Sequence, residues 1–415
     1  MPVNGMTLRK ELETLRGEPI EVFAGDPMAI PCIETSDPGK LCRNPVVSVN
    51  MLAYNHEPYI RQAIDGVMMQ KTDFEFELVI GEDASRDGTR EICLEYQRRF
   101  PDKIRVLWWH ENVSGLGGNV MRTRARCRGE FMAFCEGDDY WTDPLKLQKQ
   151  VDVMRKNPDV GLVFTNGVVH DQGTGGRRDW DWEGVVPFGK MDGERFLFMN
   201  VYSRSPFESL RRESFLCTAS TMVRMAALSA ALGRYEVLSW RLRLGDVPVW
   251  LSLAGVSDVY GLSDKTAVYR VHSGGLCARL GTQLWRDNLL VRIYFNKAAL
   301  NLDHRDLPPG FTADWMNANC VLLSQKAYPD RVRGLLRMFT NGVWRQLTAG
   351  CAVSEDVVNL YERHCSCRVT AKRWSLRDRC RYRGIGVAHN VGSVLAPRAV
   401  KNLWRRAVHG ADSDS

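Results

Sequence analysis

The chain has 415 residues, 44% of them hydrophobic, which is enough for one large or two ordinary domains with a sizeable core. We expect neither a secretory signal nor a membrane-spanning helix, because the amino terminus lacks an apolar segment and no window approaches about 18 apolar residues. The net charge of +7 is uneven, since residues 368–406 carry +10 and the remainder sums to −3. A basic character confined to one segment argues against a nucleic-acid partner.

Apolar runs of strand length alternate with segments of helical periodicity in the first half of the chain. The predicted strands are VVSVNML (46–52), FELVIG (76–81), IRVLWW (104–109), FMAFC (131–135) and GLVFTN (161–166). Continuous apolar runs are typical of strands covered on both faces, and helices of about 12 residues between them indicate βαβ units. The pattern therefore predicts an α/β fold with a mostly parallel sheet flanked by helices.

The second half is less regular. Residues 171–215 are polar and predict a loop-rich insertion with some helix. A strand (216–224), a short helix (245–255) and a strand (266–272) are then predicted, and the pattern from about 283 onward is helical. We expect three parts: an N-terminal extension (1–44), an α/β domain (45–280) and a helical, basic C-terminal region (281–415).

The run FMAFCEGDDYW, at residues 131–141, is the most informative segment. Its apolar strand ends in three carboxylates, Glu136, Asp138 and Asp139. Ligands of open α/β sheets bind at the carboxyl ends of the strands. A divalent cation that carries a diphosphate would neutralise these carboxylates, since hard cations share oxygen ligands with substrate phosphates. A solvated acidic turn is the alternative.

Two other predicted strands end in groups that suit a ligand. Tyr54 and Asn55 follow the first strand, and Glu82 and Asp83 follow the second. An aromatic ring can stack on a base, and a carboxylate can accept a hydrogen bond from a base imide. Taken singly, Tyr54 reads as a half-buried aromatic and Asp83 as a turn or helix cap. Three such strand ends at one sheet edge favour a nucleotide site.

These segments, together with GDVPVWL and VYRVHSGG, resemble the family 2 glycosyltransferases of the GT-A fold over residues 45–275. The resemblance is strongest to bacterial members that build surface or extracellular polysaccharide. It implies a GT-A type sheet and an inverting, metal-dependent transfer of a sugar. The donor would be a nucleotide-sugar, and the acceptor a hydroxyl of a glycan or a lipid-linked molecule.

The resemblance also implies roles for individual residues. The positions implied to bind the nucleotide-sugar are Ala53, Tyr54, Asn55, Glu57, Asp83, Glu136, Asp138 and Asp139. Asp138 and His272 fall at metal-binding positions, which makes Mg²⁺ or Mn²⁺ the expected cofactor, and Asp246 falls at the catalytic base. The sequence departs from the family at Glu136, usually Asp, and at Gly245, where Glu commonly precedes the base. Alternatively, Asp246 is only a helix N-cap and His272 a structural histidine.

Two other function classes stay open. A nucleotidyltransferase acting on sugar phosphates would usually carry a Gly-rich, basic loop after the first strand, and LAYNHEPY is not such a loop. A catalytically inactive nucleotide-sugar binding protein is the other, and the presence of Asp138 and Asp246 counts against it.

The basic segment and the cysteines bear on location. The segment 368–406 holds Trp374, Tyr382 and Trp404 among its cations, which suits an anionic membrane surface at about 1 kcal/mol per cation. A solvated tail is the alternative. The twelve cysteines include no CxxC pair, which favours reduced thiols. We therefore expect a cytoplasmic protein that is peripheral at the inner face of the cell membrane.

Overall fold

The computed structural model describes residues 19–113, 118–180, 188–202, 216–242 and 245–275, with isolated positions within 9–13 and 287–295. One compact unit comprises residues 19–201 and 213–295, and a second comprises 1–18, 202–212 and 296–415. Most of the predicted helical C-terminal region, including the basic segment, lies outside the described residues. No helix in the described ranges is both long and apolar enough to cross a bilayer.

Eleven strands of the described residues form one sheet. They are β1 (Ile33–Thr35), β2 (Val47–Ala53), β3 (Phe76–Glu82), β4 (Ile104–Trp108), β5 (Phe131–Phe134), β6 (Tyr140–Trp141), β7 (Val160–Asp171), β8 (Arg177–Asp179), β9 (Gly189–Met191), β10 (Thr221–Arg224) and β11 (Asp258–Val271).

The helices follow the strands in alternation through the first half of the domain. They are α1 (Ile60–Met68), α2 (Thr89–Arg99), α3 (Gly118–Arg124), α4 (Lys146–Lys156), α5 (Gly193–Tyr202), α6 (Met225–Arg234) and α7 (Val247–Ala254). Short 3₁₀ turns lie at Pro27–Ala29, Thr218–Ser220 and Glu236–Ser239.

The strand order is β1-β4-β3-β2-β5-β10-β7-β11-β6, with β8 beside β7 and β9 beside β11. Strands β4, β3, β2 and β5 are mutually parallel, β10 is antiparallel to both β5 and β7, and β7 and β11 are parallel. Because two antiparallel steps restore the direction, β11 ends at the same edge as β2, β3 and β5. We call this the carboxyl edge. The predicted α/β class, with a largely parallel sheet flanked by helices, is confirmed.

Several boundaries differ from the sequence prediction. The predicted strand 216–224 is a 3₁₀ turn followed by the four residues of β10. Helix α4 begins after Leu145, whose N–H donates to the Asp143 side chain at 2.8 Å. Strand β1 falls inside the predicted N-terminal extension and pairs with β4. The predicted insertion contributes β8, β9 and α5.

The core lies on both faces of the parallel strands. Strand β3 is buried at all seven residues and β2 at six of seven, as their apolar runs predict. Helix α1 packs directly on β6, where a Cβ at Gly66 would lie 2.9 Å from the backbone N and O of Trp141. This close approach fixes α1 against the loop that joins β5 to β6, which carries the predicted acidic site.

Candidate active site

The acidic loop of residues 136–139 is fastened to the end of β2. The Gly137 N–H donates to the Leu52 carbonyl at 2.9 Å, and the Asp139 N–H donates to the Glu136 carbonyl at 3.0 Å. A Cβ at Gly137 would lie 2.7 Å from Cδ1 of Ile60 and 2.8 Å from Nδ1 of His56. The loop therefore lies so close to α1 and the β2 loop that a larger residue would require the side chains of Ile60 and His56 to shift.

Two histidines approach the carboxylate of Asp138. His272 Nε2 lies 3.1 Å from Asp138 Oδ2, and His56 Nε2 lies 3.6 Å from the same oxygen. Burial opposes ionisation of Asp138, but the charge of His56 and the hydrogen bond and charge of His272 lower its pKa below the ordinary value. The structure thus brings the two predicted metal ligands together. His56 was missed, although its place in the loop after β2 was a signal.

The other two carboxylates of the loop are not neutralised in this way. Burial, with the charges of Asp138 and Asp246, raises the pKa of Glu136 to about 8. The buried Oε2 of Glu136 has no hydrogen-bond partner within the described part of the chain. Asp139 accepts from the Arg270 N–H at 2.8 Å, and burial beside Asp138 and Glu136 still raises its pKa well above the ordinary value. This concentration of carboxyl groups suits a cation.

The donor set fits a cation that is shared with a substrate. Among the described residues, no three His, Cys, Asp or Glu side chains are grouped so as to hold a metal ion by themselves. Mg²⁺ is commonly bound through only one or two carboxylates, with substrate phosphates and water as the other ligands. The Asp138 and His272 donors, 3.1 Å apart, suit such a site, with the uncompensated Glu136 beside them.

The loops after β2 and β3 are joined to each other. Asn55 has a φ of 55°, its N–H donates to Ser85 Oγ at 3.0 Å, and its Oδ1 accepts from the Arg86 N–H at 2.8 Å. Glu57 Oε2 accepts from the Gly88 N–H at 2.9 Å, next to the start of α2. In this structure the side chains of Asn55 and Glu57 therefore shape the loops.

One carboxylate oxygen of Asp83 is available to accept a hydrogen bond from a ligand. Its N–H donates to the carbonyl of buried Ala53 at 3.1 Å, and its Oδ1 accepts from the Val113 N–H at 2.8 Å. Its buried Oδ2 has no partner within the described residues. The preceding Glu82 is instead paired with Arg90 at 2.6 Å and is structural. Tyr54, which is half-buried, follows Ala53 at the same edge.

Asp246 is both a helix cap and a member of the site. Its Oδ1 accepts from the Val247 N–H at 2.8 Å at the start of α7, and its Oδ2 accepts from Thr218 Oγ1 at 3.3 Å. Its charge contributes to the raised pKa of Glu136, which places it near the acidic loop. The cap reading of Asp246 is thus correct without excluding a role at the site.

Thr218 is held by its turn, and sequence reasoning missed it. The Thr218 carbonyl accepts from Thr221 Oγ1 at 2.7 Å, and the Ala219 carbonyl accepts from Trp141 Nε1 at 2.8 Å. The Ser220 carbonyl accepts from Lys146 Nζ at 3.3 Å. The turn lies beside the end of β5 because the strand that follows it, β10, pairs antiparallel with β5. The hydrogen bonds from Trp141 and Lys146 hold the turn in that place.

Comparisons with known proteins found relatives of part of this chain. An uncharacterized protein of Mycobacterium tuberculosis is 43% identical over 118 residues, which cover 28% of this chain and 34% of the relative. TuaG of Bacillus subtilis, by its name a candidate glycosyltransferase of teichuronic acid biosynthesis, is 36% identical over 112 residues, covering 26% and 42%. The matched segment thus spans about a third to two-fifths of these relatives' length.

Among solved structures, TarS residues 1–349 of S. aureus in complex with UDP-GlcNAc superimposes with a TM-score of 0.44 at 17% identity. The superposition covers 77% of this chain and 91% of that one. The family model described as "Glycosyl transferase family 2" matches residues 48–229, which include the acidic loop, the β2 and β3 loops and the turn that holds Thr218. Over residues 48–229, this chain is therefore similar to glycosyl transferase family 2.

Proposed function

We propose that this chain is a glycosyltransferase that moves a sugar from a nucleotide-sugar to an acceptor hydroxyl, with a divalent cation and with inversion at the anomeric carbon. The observation that carries the proposal is the contact of Asp138 with His272, 3.1 Å apart, beside a separate carboxylate, Asp246. Asp138 and His272 suit the leaving diphosphate, and Asp246 suits the attacking hydroxyl. The family match of residues 48–229 supports the same activity.

Asp246 is the proposed general base. The acceptor oxygen bonds to the anomeric carbon as the bond from that carbon to the phosphate oxygen breaks, and Asp246 takes the hydroxyl proton. Hydrogen bonds from Val247 and Thr218 favour the ionised carboxylate before attack. Such a base contributes about 10²–10⁴-fold. A single displacement inverts the configuration at the anomeric carbon.

Asp138 and His272 would hold the cation. When bound, Mn²⁺ or Mg²⁺ offsets the negative charge that the leaving diphosphate gains. Carboxylate and water ligands suit Mg²⁺ and Mn²⁺ alike, so either ion fits the proposal. Asp83 Oδ2, which has no partner among the described residues, would accept a hydrogen bond from the nucleobase of the donor. The ring of Tyr54 would stack on the same nucleobase.

The acceptor side of the proposal is broader. The name of TuaG refers to teichuronic acid, a cell-surface polymer, and we propose surface or extracellular polysaccharide synthesis for this chain as well. The acceptor would be a glycan or a lipid-linked precursor, used at the cytoplasmic face of the membrane. The basic segment 368–406, outside the described residues, is the proposed contact with anionic lipid.

A thermal-shift panel of UDP, GDP and their sugar conjugates, each with and without Mn²⁺, tests the proposal. We expect one nucleotide series to raise the midpoint of unfolding by several degrees and to require the cation, since ligands that bind only the folded state stabilise it. Asp138→Ala should lose this shift. Asp264→Asn on β11, partly exposed and paired with Lys149, is the matched control and should keep it.

Two results would contradict the proposal. The absence of any nucleotide shift in the wild type would exclude a nucleotide-sugar donor. A shift that is indifferent to Mn²⁺ would remove the cation from the mechanism. Release of nucleoside diphosphate from the stabilising donor then separates an active transferase from a binding protein, because only the transferase turns the donor over.

A further inference from the structure

We propose that Arg270 is a positioning residue that joins the two halves of the candidate cation site, Asp138 and His272. These two residues are 134 positions apart in sequence and belong to different segments, the acidic loop and the end of β11. The inference rests on the proposed function, because it concerns the same cation. Arg270 lies within the segment VYRVHSGG, but the family resemblance gave it no role.

Arg270 fixes the acidic loop through both its backbone and its side chain. Its N–H donates to Asp139 Oδ1 at 2.8 Å, and its guanidinium donates to the Asp138 carbonyl at 2.7 Å. Only 5% of Arg270 is exposed, so both bonds lie in a protected environment where they are stronger than in water. They set the backbone from which the Asp138 carboxylate projects.

The same guanidinium reaches α1 and two aromatic rings. It donates to Gln62 Oε1, and it lies 4.4 Å from the ring centroid of Tyr140 and 5.2 Å from that of Tyr59. The Tyr59 ring in turn contacts the His272 ring at a centroid distance of 4.6 Å. The imidazole of His272 is thus supported by a ring that packs on the guanidinium.

The geometry requires arginine in particular. The planar fork donates to two acceptors, Asp138 O and Gln62 Oε1, while its faces lie against aromatic rings. A lysine would keep the charge but lose this paired geometry. Charge balance alone therefore predicts that Arg270→Lys is tolerated, whereas positioning predicts that it is not.

Mn²⁺ binding followed by EPR, with UDP and with GDP in separate series, tests the inference without an activity assay. We expect Arg270→Lys to weaken Mn²⁺ binding by about 10–100-fold, the usual effect of losing a group that orients metal ligands. Gln62→Leu, at an exposed position of α1, should also weaken Mn²⁺ binding, but only by a few-fold. This smaller loss corresponds to the energy of about one hydrogen bond. Arg105→Lys is the matched control.

Arg105 is equally buried, at 7% exposure, but pairs with Glu34 and Glu77 near the start of β4, away from the site. Its variant should melt at a lower temperature and bind Mn²⁺ as the wild type does. Equal Mn²⁺ affinity in Arg270→Lys and wild type, or an equal loss in Arg105→Lys, would overturn the inference alone. No Mn²⁺ binding by the wild type would overturn the proposed function with it. If Arg270→Lys does not fold, the result for Gln62→Leu decides.

Discussion

The two edges of the sheet treat buried carboxylates in opposite ways. At the amino edge, Glu77 is fully buried and accepts from Ser48 Oγ at 2.7 Å, from Arg128 at 2.7 Å and from Arg105 at 3.2 Å. Glu34 completes this amino-edge cluster by pairing with Arg105 at 2.8 Å. Every carboxylate there has a cationic partner, and no part of the cluster calls for a ligand.

At the carboxyl edge, three carboxyl groups share one buried arginine and two histidines. Glu136 keeps an unpartnered oxygen among the described residues and a pKa of about 8, while the pKa of Asp139 is raised by burial and by its neighbours. The same sheet can therefore pair its buried acids fully, as at Glu77, and does not do so here. This difference supports the proposal of a cation at the carboxyl edge.

The largest expected effect is that of Asp246→Asn on turnover. We expect kcat to fall by about 10²–10⁴-fold, because the base is lost while the amide keeps the size of the side chain. Nucleotide binding in the thermal-shift assay should stay close to that of the wild type, and Asp264→Asn should keep both properties. Unchanged turnover of the stabilising donor in Asp246→Asn would refute the base assignment.

A substitution in the amino-edge cluster should instead lower the free energy of unfolding. Glu77→Gln leaves Arg105 and Arg128 without their shared carboxylate, and breaking a buried pair in this way costs about 3–5 kcal/mol of unfolding free energy. Urea denaturation measures the loss. The folded fraction should bind nucleotide and Mn²⁺ normally. A selective loss of Mn²⁺ affinity at full stability would show that the two edges are not separate in role.

Lys146 is a buried basic residue whose hydrogen bonds go to an amide and a carbonyl oxygen, not to a carboxylate. Burial lowers its pKa from 10.5 to about 7, and its Nζ contacts Gln150 Oε1 at 2.5 Å and lies 4.7 Å from the Trp141 ring centroid. Between pH 7 and 10.5 the unfolded chain binds the additional proton, so this group makes the unfolding free energy rise with pH.

Lys146→Met should remove that rise, which amounts to about 1 kcal/mol per pH unit. Denaturation of both proteins between about pH 7 and 9 gives the difference, and other titrating groups cancel in the comparison. Parallel pH profiles for the two proteins would mean that Lys146 is charged when buried, as the arginines of the amino-edge cluster are.

The smallest expected effect concerns Thr218, which supports the base. Thr218→Val removes the hydroxyl that donates to Asp246 at 3.3 Å and should lower kcat by about fivefold with little change in KM, because the base loses a hydrogen bond that orients it, worth about 1 kcal/mol. The pH profile of kcat should shift toward higher pH, because a carboxylate that loses a donor has a higher pKa. Thr218→Ser keeps the hydroxyl and should restore both. Equal kcat loss in the two variants would contradict the role.

The parts of the site that sequence reasoning located lie at the ends of parallel strands. Asp83 and Asp138 follow apolar runs directly, so recognising the strand also gives the edge at which the side chain lies. Asp246 and His272 were placed only through the family resemblance, and their roles stay predictions. Thr218 carried no signal of its own, because a threonine is common in any loop. His56 and Arg270 lie inside segments that carry the resemblance, but neither was given a role there.

The α/β class, the carboxyl edge and the acidic loop could be predicted from the residues alone, because periodicity and strand direction are local properties of the chain. Which acids are compensated depends on tertiary contacts. The pairing of β10 with β5 places Thr218 by Asp246, and the pairing of β11 with β6 places Arg270 and His272 by Asp138. Charge compensation depends on contacts between residues that lie from 28 to 134 positions apart, and no local pattern records those contacts.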